Sequence, residues 1–250
     1  VVCGAFLHLV VQSVAAVGVG LWPPAKPDFR DPGVRQILTL MGPRMAALGV
    51  SQVRLTLLFA IATLTETGAV AVFNLANNIQ SFPLGLFGIS FAIAAFPALA
   101  KAANSSDDEG YRATLSSAAR KICFFVIPVT AIFFLLRAQI VRLVLGQGVF
   151  GWEDTIRTAD MLGLMALSLL AQSLSPLLVR ALYARQDTWT PFLVSLLAEI
   201  ATIVSAVVLH GPFGLRGIGA AFSIGATAQA IVLLLVLRKR FGRLGKGETL

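Results

Sequence analysis

Charge is scarce in this sequence. Lys, Arg, Asp and Glu together make 13% of 250 residues, and only 12 positions are acidic. Soluble domains run nearer a quarter charged, so a chain this poor in charge cannot present a solvated surface all round. Cysteine and histidine are scarcer still, with two of each. Cys3 and Cys123 fall in different apolar runs with no ligand partner nearby, and read as two small buried hydrophobes rather than a disulfide or a metal site. His8 and His210 are isolated, so no metal and no cofactor are expected. Paired carboxylates within the apolar runs and nucleophile–base spacings are missing too, and an enzyme is therefore not expected. Gly242-Arg243-Leu244-Gly245-Lys246-Gly247 has the wrong glycine spacing for a phosphate loop and no strand before it, which leaves it a basic, flexible tail.

What the chain has in abundance is apolar length: it is 57% hydrophobic with a mean hydropathy of +0.83. Apolar runs lie at about 1–21, 37–64, 70–100, 122–146, 158–179, 191–209 and 217–237, each near or above the roughly 20 residues a helix needs to cross the hydrocarbon core. The fold class is an all-α membrane protein, a polytopic bundle of about seven transmembrane helices. The first run is longer than a signal-peptide core and has no charged segment before it, so it is expected to be the tail of a longer membrane unit.

Loop charge tests that layout. The connections carry in turn Lys26, Arg30 and Arg35; no cation; Lys101, Arg112, Arg120 and Lys121; Arg157 alone; Arg180 and Arg185; Arg216 alone; and Arg238, Lys239, Arg240, Arg243 and Lys246 after the last run. The alternation of basic and weakly charged connections places the first residue outside and the basic tail in the cytoplasm. The net charge of +8 then reports topology and contact with anionic membrane lipids. No separate basic domain exists to hold nucleic acid. Asn104-Ser105-Ser106 matches a glycosylation acceptor but lies in a loop assigned to the cytoplasm, and Asp107, Asp108 and Glu109 there read as a solvated turn.

Polarity inside the spans is where function is expected, because a centrally placed charge costs about 2.5–3.5 kcal/mol on insertion scales. Arg54 and Glu199 are the clear cases; Arg44 is expected to snorkel to the interface, as are Arg137 and Arg142. On the third span Asn74, Asn77, Asn78 and Ser81 share one helical face, a stripe of neutral hydrogen-bonding groups. Such a stripe either lines a water-filled cavity or glues helices together at about 0.6–2 kcal/mol per bond. Pro83 then removes a backbone donor while Gly85 and Gly88 permit close approach, which predicts a kink or hinge just past the stripe.

Three segments in register carry a family resemblance: Phe82-Pro83-Leu84-Gly85-Leu86-Phe87-Gly88-Ile89-Ser90 with Phe96-Pro97; Ile140-Val141-Arg142-Leu143-Val144-Leu145-Gly146-Gln147-Gly148-Val149-Phe150 running to Glu153-Asp154-Thr155; and Arg180-Ala181-Leu182-Tyr183-Ala184-Arg185-Gln186-Asp187-Thr188 with Thr190-Pro191. Asp31-Pro32-Gly33-Val34-Arg35 and Ser51-Gln52 fit as well. Over essentially its whole length the chain resembles the MurJ (MviN) lipid II flippases of the multidrug/oligosaccharidyl-lipid/polysaccharide exporter superfamily. That resemblance implies a fourteen-helix transporter of two six-helix lobes and a terminal pair. Residues 1–21 then look like the last helix of the first lobe, 22–36 a cytoplasmic linker, 37–237 the second lobe, and 238–250 a basic cytoplasmic tail. Chain 1–250 would be a fragment whose partners are the missing first lobe, membrane lipids and lipid II.

The implied function is to carry the undecaprenyl-pyrophosphate-linked peptidoglycan precursor from the inner to the outer leaflet of the bacterial cytoplasmic membrane by alternating access. A polysaccharide or drug exporter of the same superfamily, or a non-transporting scaffold, is the alternative. Asn78 stands where many members have an arginine, and Leu58 where some place an aspartate of a sodium site, so no metal site is carried over. Substrate-binding residues implied are Gln52, Arg54, Asn74, Asn77, Asn78, Ser81 and Glu199. Counting helical rise, Arg54 lies about 15 Å and Asn78 about 12 Å below the outer ends of their spans. Arg54 could therefore supply the cation absent at position 78, or be held by Glu199, at similar depth, in an ion pair.

Overall fold

The computed structural model describes residues 2–20, 32–146 and 151–241. The linker expected at 22–36 lies outside the described residues up to position 31, as do Gln147 to Phe150 of the second motif and the tail from Gly242 onward. The chain divides into two compact units, Val1–Leu40 and Met41–Leu250.

The first unit holds α1 (Val2–Gly18) and the opening turns of α2 (Pro32–Thr63). As described, α1 is a 17-residue apolar helix, just under the length of a full span. Pro32 opens α2, where its missing N–H costs nothing, and the helix therefore begins inside the segment expected to be linker.

In the second unit α2 is followed by α3 (Ala69–Pro83), a π-helical segment (Leu84–Ile89), α4 (Ser90–Asn104), α5 (Asp108–Leu135), α6 (Arg137–Leu145), α7 (Trp152–Ala166), α8 (Leu169–Ala184), α9 (Trp189–Phe213) and α10 (Leu215–Phe241). No strand occurs among the described residues. Five stretches are long and apolar enough to cross a bilayer: α2, α3 through α4, α5, α9 and α10. A sixth forms if α7 and α8, bent by 46° at their junction, count as one span. The run expected at 122–146 is not one helix. α5 starts at Asp108 with Asp107 as its N-cap, accepting from Gly110 N at 2.8 Å, and stops at Leu135 before the short α6. The acidic turn thus builds a helix start, with Asp108 and Glu109 against the positive end of the helix dipole.

The buried apolar residues form two clusters. One gathers Leu99, Tyr111, Leu115, Ile122, Leu177, Leu178, Leu233 and Leu237; the other gathers Leu58, Phe73, Met161, Leu162, Met165, Ile218 and Phe222. Along α8 and α10 the buried or half-buried polar residues Ser168, Gln172 and Ser223 fall at the passage from one cluster to the other, as does Gln80 on α3. Helices α9 and α10 approach closely at Gly225, where a methyl group would lie 1.7 Å from Thr202 Oγ1. The two cysteines are not buried as expected: Cys3 is exposed and Cys123 half-buried. The lipid-facing side of a spanning helix is apolar without protein covering it, so apolar surroundings in sequence do not imply burial in protein.

Candidate functional site

Arg54 on α2 and Glu199 on α9 meet in an ion pair in which each side chain is only 15% exposed. Arg54 Nε abuts Glu199 Oε2 without the alignment of a hydrogen bond, so the contact is ionic. The guanidinium also lies over Phe222 of α10, 5.3 Å from the ring centroid. Phe222 in turn meets Phe73 edge-on at 6.0 Å, and Phe73 meets Phe59 at 5.7 Å. Of the two placements left open by the sequence, the Glu199 pair is the one present in this conformation. Gln52 is exposed, and two residues of helix turn it about 200° away from Arg54, so these two do not share a face.

The asparagine stripe faces away from its own lobe. Asn74, Asn78 and Ser81 are exposed and Asn77 is half-buried. Asn74 Nδ2 donates to Val70 O at 3.0 Å and Ser81 Oγ to Asn77 O at 2.6 Å, so these groups are satisfied by their own helix and glue no neighbour. Among the described residues no hydrogen bond or ion pair joins the stripe to the Arg54–Glu199 pair.

Interhelical polar bonding lies instead one position round the helix. Gln80, 1% exposed, donates to Asn77 Oδ1 at 3.3 Å and accepts from Gln172 Nε2 at 3.5 Å. Gln172 also donates to Ser168 Oγ at 2.9 Å, and Ser223 Oγ lies 3.1 Å from Ser168 Oγ and 2.6 Å from Leu164 O. At the α7–α8 bend the Ser168 N–H turns to Met165 O, leaving Leu164 O without its helical donor, and the Ser223 hydroxyl takes that place. The sequence signalled Gln80, within the polar cluster Asn77 to Ser81. It carried no glycine or proline at 167–168 to signal the bend.

Directly after Pro83, where a kink was expected, the helix changes winding into a π-helical segment that keeps α3 and α4 in one continuous span. Ser90 Oγ donates to Gly85 O at 2.9 Å, five residues back, beside the Ser90 N–H that reaches the same carbonyl. Gly88 is a true close approach, since a methyl there would lie 2.8 Å from Ser173 Cα on α8. Gly85 has open space around it and is no packing glycine.

The third sequence motif has a structural role at the end of the bundle rich in basic residues. Arg185 pairs with Asp108 and lies over Tyr111 at 4.5 Å, while Tyr111 Oη donates to Ala181 O at 2.7 Å. Asp187 accepts from Thr190 N at 2.9 Å and Thr190 Oγ1 at 2.6 Å and pairs with Arg240. Burial pushes the Asp187 carboxyl upward, but the bonds from Thr190 and Arg240 outweigh it and hold the group below its ordinary value. At the opposite end Arg216 pairs with Asp160 at 2.6 Å and Arg157 reaches Glu66 at 3.8 Å. Within the second unit the strongly and weakly basic connections that these contacts describe therefore lie at opposite ends, as loop charge implies. Arg137 stands 4.0 Å from Asp160 rather than snorkelling freely, whereas Arg142 is exposed. Arg44 is exposed and lies over the Tyr183 ring at 5.6 Å.

A helical bundle with an exposed polar face and a half-buried ion pair can be placed among known proteins. Residues 1–249 match the family described as lipid II flippase MurJ. The chain belongs to that family. Among MurJ relatives, the probable lipid II flippase of Vibrio cholerae is 28% identical over 230 residues, 92% of this chain and 44% of that protein. The lipid II flippase of Burkholderia cenocepacia is 28% identical over 245 residues, 96% of this chain and 47% of that one. The chain thus spans about half the length of the curated MurJ relatives it matches. A solved MurJ structure in an inward closed conformation superposes with a TM-score of 0.73 at 23% identity, over 88% of this chain and 47% of that one. An inward-facing multidrug transporter of the MATE family superposes with a TM-score of 0.74 at 18% identity, over 98% and 59%. These likenesses show that the helical fold is shared.

Proposed function

We propose that this chain is the second lobe of a lipid II flippase, moving the undecaprenyl-pyrophosphate-linked precursor from the inner to the outer leaflet of the bacterial cytoplasmic membrane. The basic end of the bundle faces the cytoplasm, as the positive-inside rule requires. The observation that carries the reading, beside the family match, is the outward-facing stripe of Asn74, Asn78 and Ser81 on a spanning helix. Side-chain amides have no business against hydrocarbon, so this face abuts water, a polar head group or another lobe. A sugar–pyrophosphate head crossing the bilayer requires a wall of that kind, while its polyprenyl tail stays in lipid. The task is binding and release with no covalent step, so no catalytic residue is assigned. In this reading the Arg54–Glu199 pair stores a cation next to the path, and the π-helical segment lets the stripe-bearing helix change its bend between states. The exporter alternative rests on fold alone, and the scaffold alternative requires the stripe to be covered.

Cysteine accessibility tests the wall. In the full-length protein in cells, Asn74→Cys, Asn78→Cys and Ser81→Cys react with a membrane-impermeant thiol reagent, and lipid II protects them. Protection of all three from the reagent in every state contradicts the cavity reading and favours a scaffold.

A further inference from the structure

The second unit contains two cavities of similar size and opposite electrical character. The one at the weakly basic end, about 340 Å³, is charge-balanced, with Glu66 and Asp160 facing Arg157 and Arg216. The other, about 390 Å³, lies between α2, the π-helical segment, α8 and α10 and is lined by Arg44, Gln172, Ser175, Arg180, Tyr183 and Gln229 among others. Its wall carries two arginines and no carboxylate.

Among the described residues no carboxylate lies within ion-pair distance of Arg44 or Arg180. Arg44 rests on the Tyr183 ring, and Arg180 commits one donor to Pro176 O at 3.3 Å, a small part of the roughly five N–H groups a guanidinium offers. Arg44 is exposed while Ser175 is buried, so the cavity opens past Arg44 and deepens along α8 toward Gln172. Tyr183 sits one residue from the end of α8, and Gln172 about 16 Å above it, so the cavity runs from the basic end toward mid-bundle. Two like charges facing one cavity in a membrane bundle are costly unless an anion joins them. Gln229, whose Nε2 donates to Ser195 Oγ at 3.0 Å, and Gln172 add neutral amides beside the charges.

We propose that this cavity binds a phosphate-bearing anion, a phosphate or pyrophosphate group gripped between Arg44 and Arg180, at a site separate from the Arg54–Glu199 pair. Guanidinium forks match phosphoryl oxygens two at a time, and a cavity within the roughly 300–1,000 Å³ of small-molecule sites holds a pyrophosphate but not a whole sugar-peptide head. The site rests on the flippase reading only for where such a group comes from, and its test reads binding rather than transport.

The full-length protein in phosphatidylcholine nanodiscs is treated with phenylglyoxal, and modification of each arginine is followed by peptide mass spectrometry. The probes are inorganic pyrophosphate, a polyprenyl pyrophosphate and phosphatidylglycerol. The proposal expects at least one probe to slow modification of Arg44 and Arg180 about tenfold while leaving Arg142 unchanged. Protection by inorganic pyrophosphate shows that the free anion suffices; protection only by polyprenyl pyrophosphate shows delivery from the bilayer; equal protection by phosphatidylglycerol identifies a phospholipid site. Arg44→Gln and Arg180→Gln each weaken the effective probe's binding about tenfold, whereas Arg238→Gln, an equal change of net charge outside the cavity, does not. No protection by any probe, or equal protection of Arg142, overturns the proposal. The wild-type protection measurement stands even where a variant fails to fold.

Discussion

The hydroxyl of Ser223 on α10 donates to the carbonyl of Leu164 on α7 at 2.6 Å, taking the place of the backbone donor lost where α7 bends into α8. In a bilayer a free carbonyl has no water to turn to, so the bend depends on this side chain. Ser223→Ala is expected to destabilise the folded protein by about 1–2 kcal/mol, with Ser223→Thr retaining most of it. Thermal unfolding in detergent checks this, and an unchanged midpoint in the alanine variant means the carbonyl has found another donor.

Gly88 and Gly85 separate close packing from chain flexibility. Gly88→Ala places a methyl 2.8 Å from Ser173 Cα and is expected to cost about 1–3 kcal/mol or more, lowering the yield of folded protein. Gly85→Ala meets nothing and should change stability by less than about 1 kcal/mol. Pro83→Ala should leave membrane insertion intact and slow transport, because it restores a helical donor where the span changes its winding. Equal folded yields for the two glycine variants contradict the packing account.

The intramembrane pair calls for a double-mutant cycle. If Arg54 and Glu199 serve only each other, Arg54→Leu or Glu199→Leu alone leaves a buried charge and costs about 3–5 kcal/mol, and the double change restores folding and transport together. If Arg54 is released to a pyrophosphate during the cycle, the double variant folds and does not flip. The present reading, in which the pair holds the cation next to the path, predicts the second outcome.

Legibility from sequence followed the physics of each signal. Apolar length located five or six of the seven expected spans, and it missed the break between α5 and α6 because that break leaves the run apolar. An irregularity after Pro83 was legible because proline lacks a donor; its π-helical form and the approach of Gly88 to Ser173 of a distant helix were not. The stripe of Asn74, Asn77, Asn78 and Ser81 was legible from helical period, yet its outward direction needed the fold. The contact of Arg44 with Tyr183 had no local signal, and the bend at Ser168 has no local breaker at all.

The clasp between Asp187, Thr190 and Arg240 gives an acid-dependent contribution. The Asp187 carboxyl titrates below its ordinary value, so its stabilisation is full above about pH 4 and is lost as pH falls through the lowered value. Asp187 is half-buried but its partner Arg240 is exposed, so solvent screens the pair and the effect is modest. Melting midpoints should be level from neutral pH to about pH 5 and fall below about pH 4. Asp187→Asn should start lower and show a smaller acid decline, and an identical decline in the variant assigns the acid sensitivity to other carboxylates.

The central claim is transport of lipid II, and depletion tests it most directly. In a bacterium with no second flippase, the full-length protein is depleted and lipid II on the outer leaflet is measured by its accessibility to an externally added enzyme that cleaves its head group. The account predicts that outer-leaflet lipid II falls while the inner-leaflet pool rises, with wild-type protein restoring both. Undiminished exposure of lipid II after depletion contradicts it.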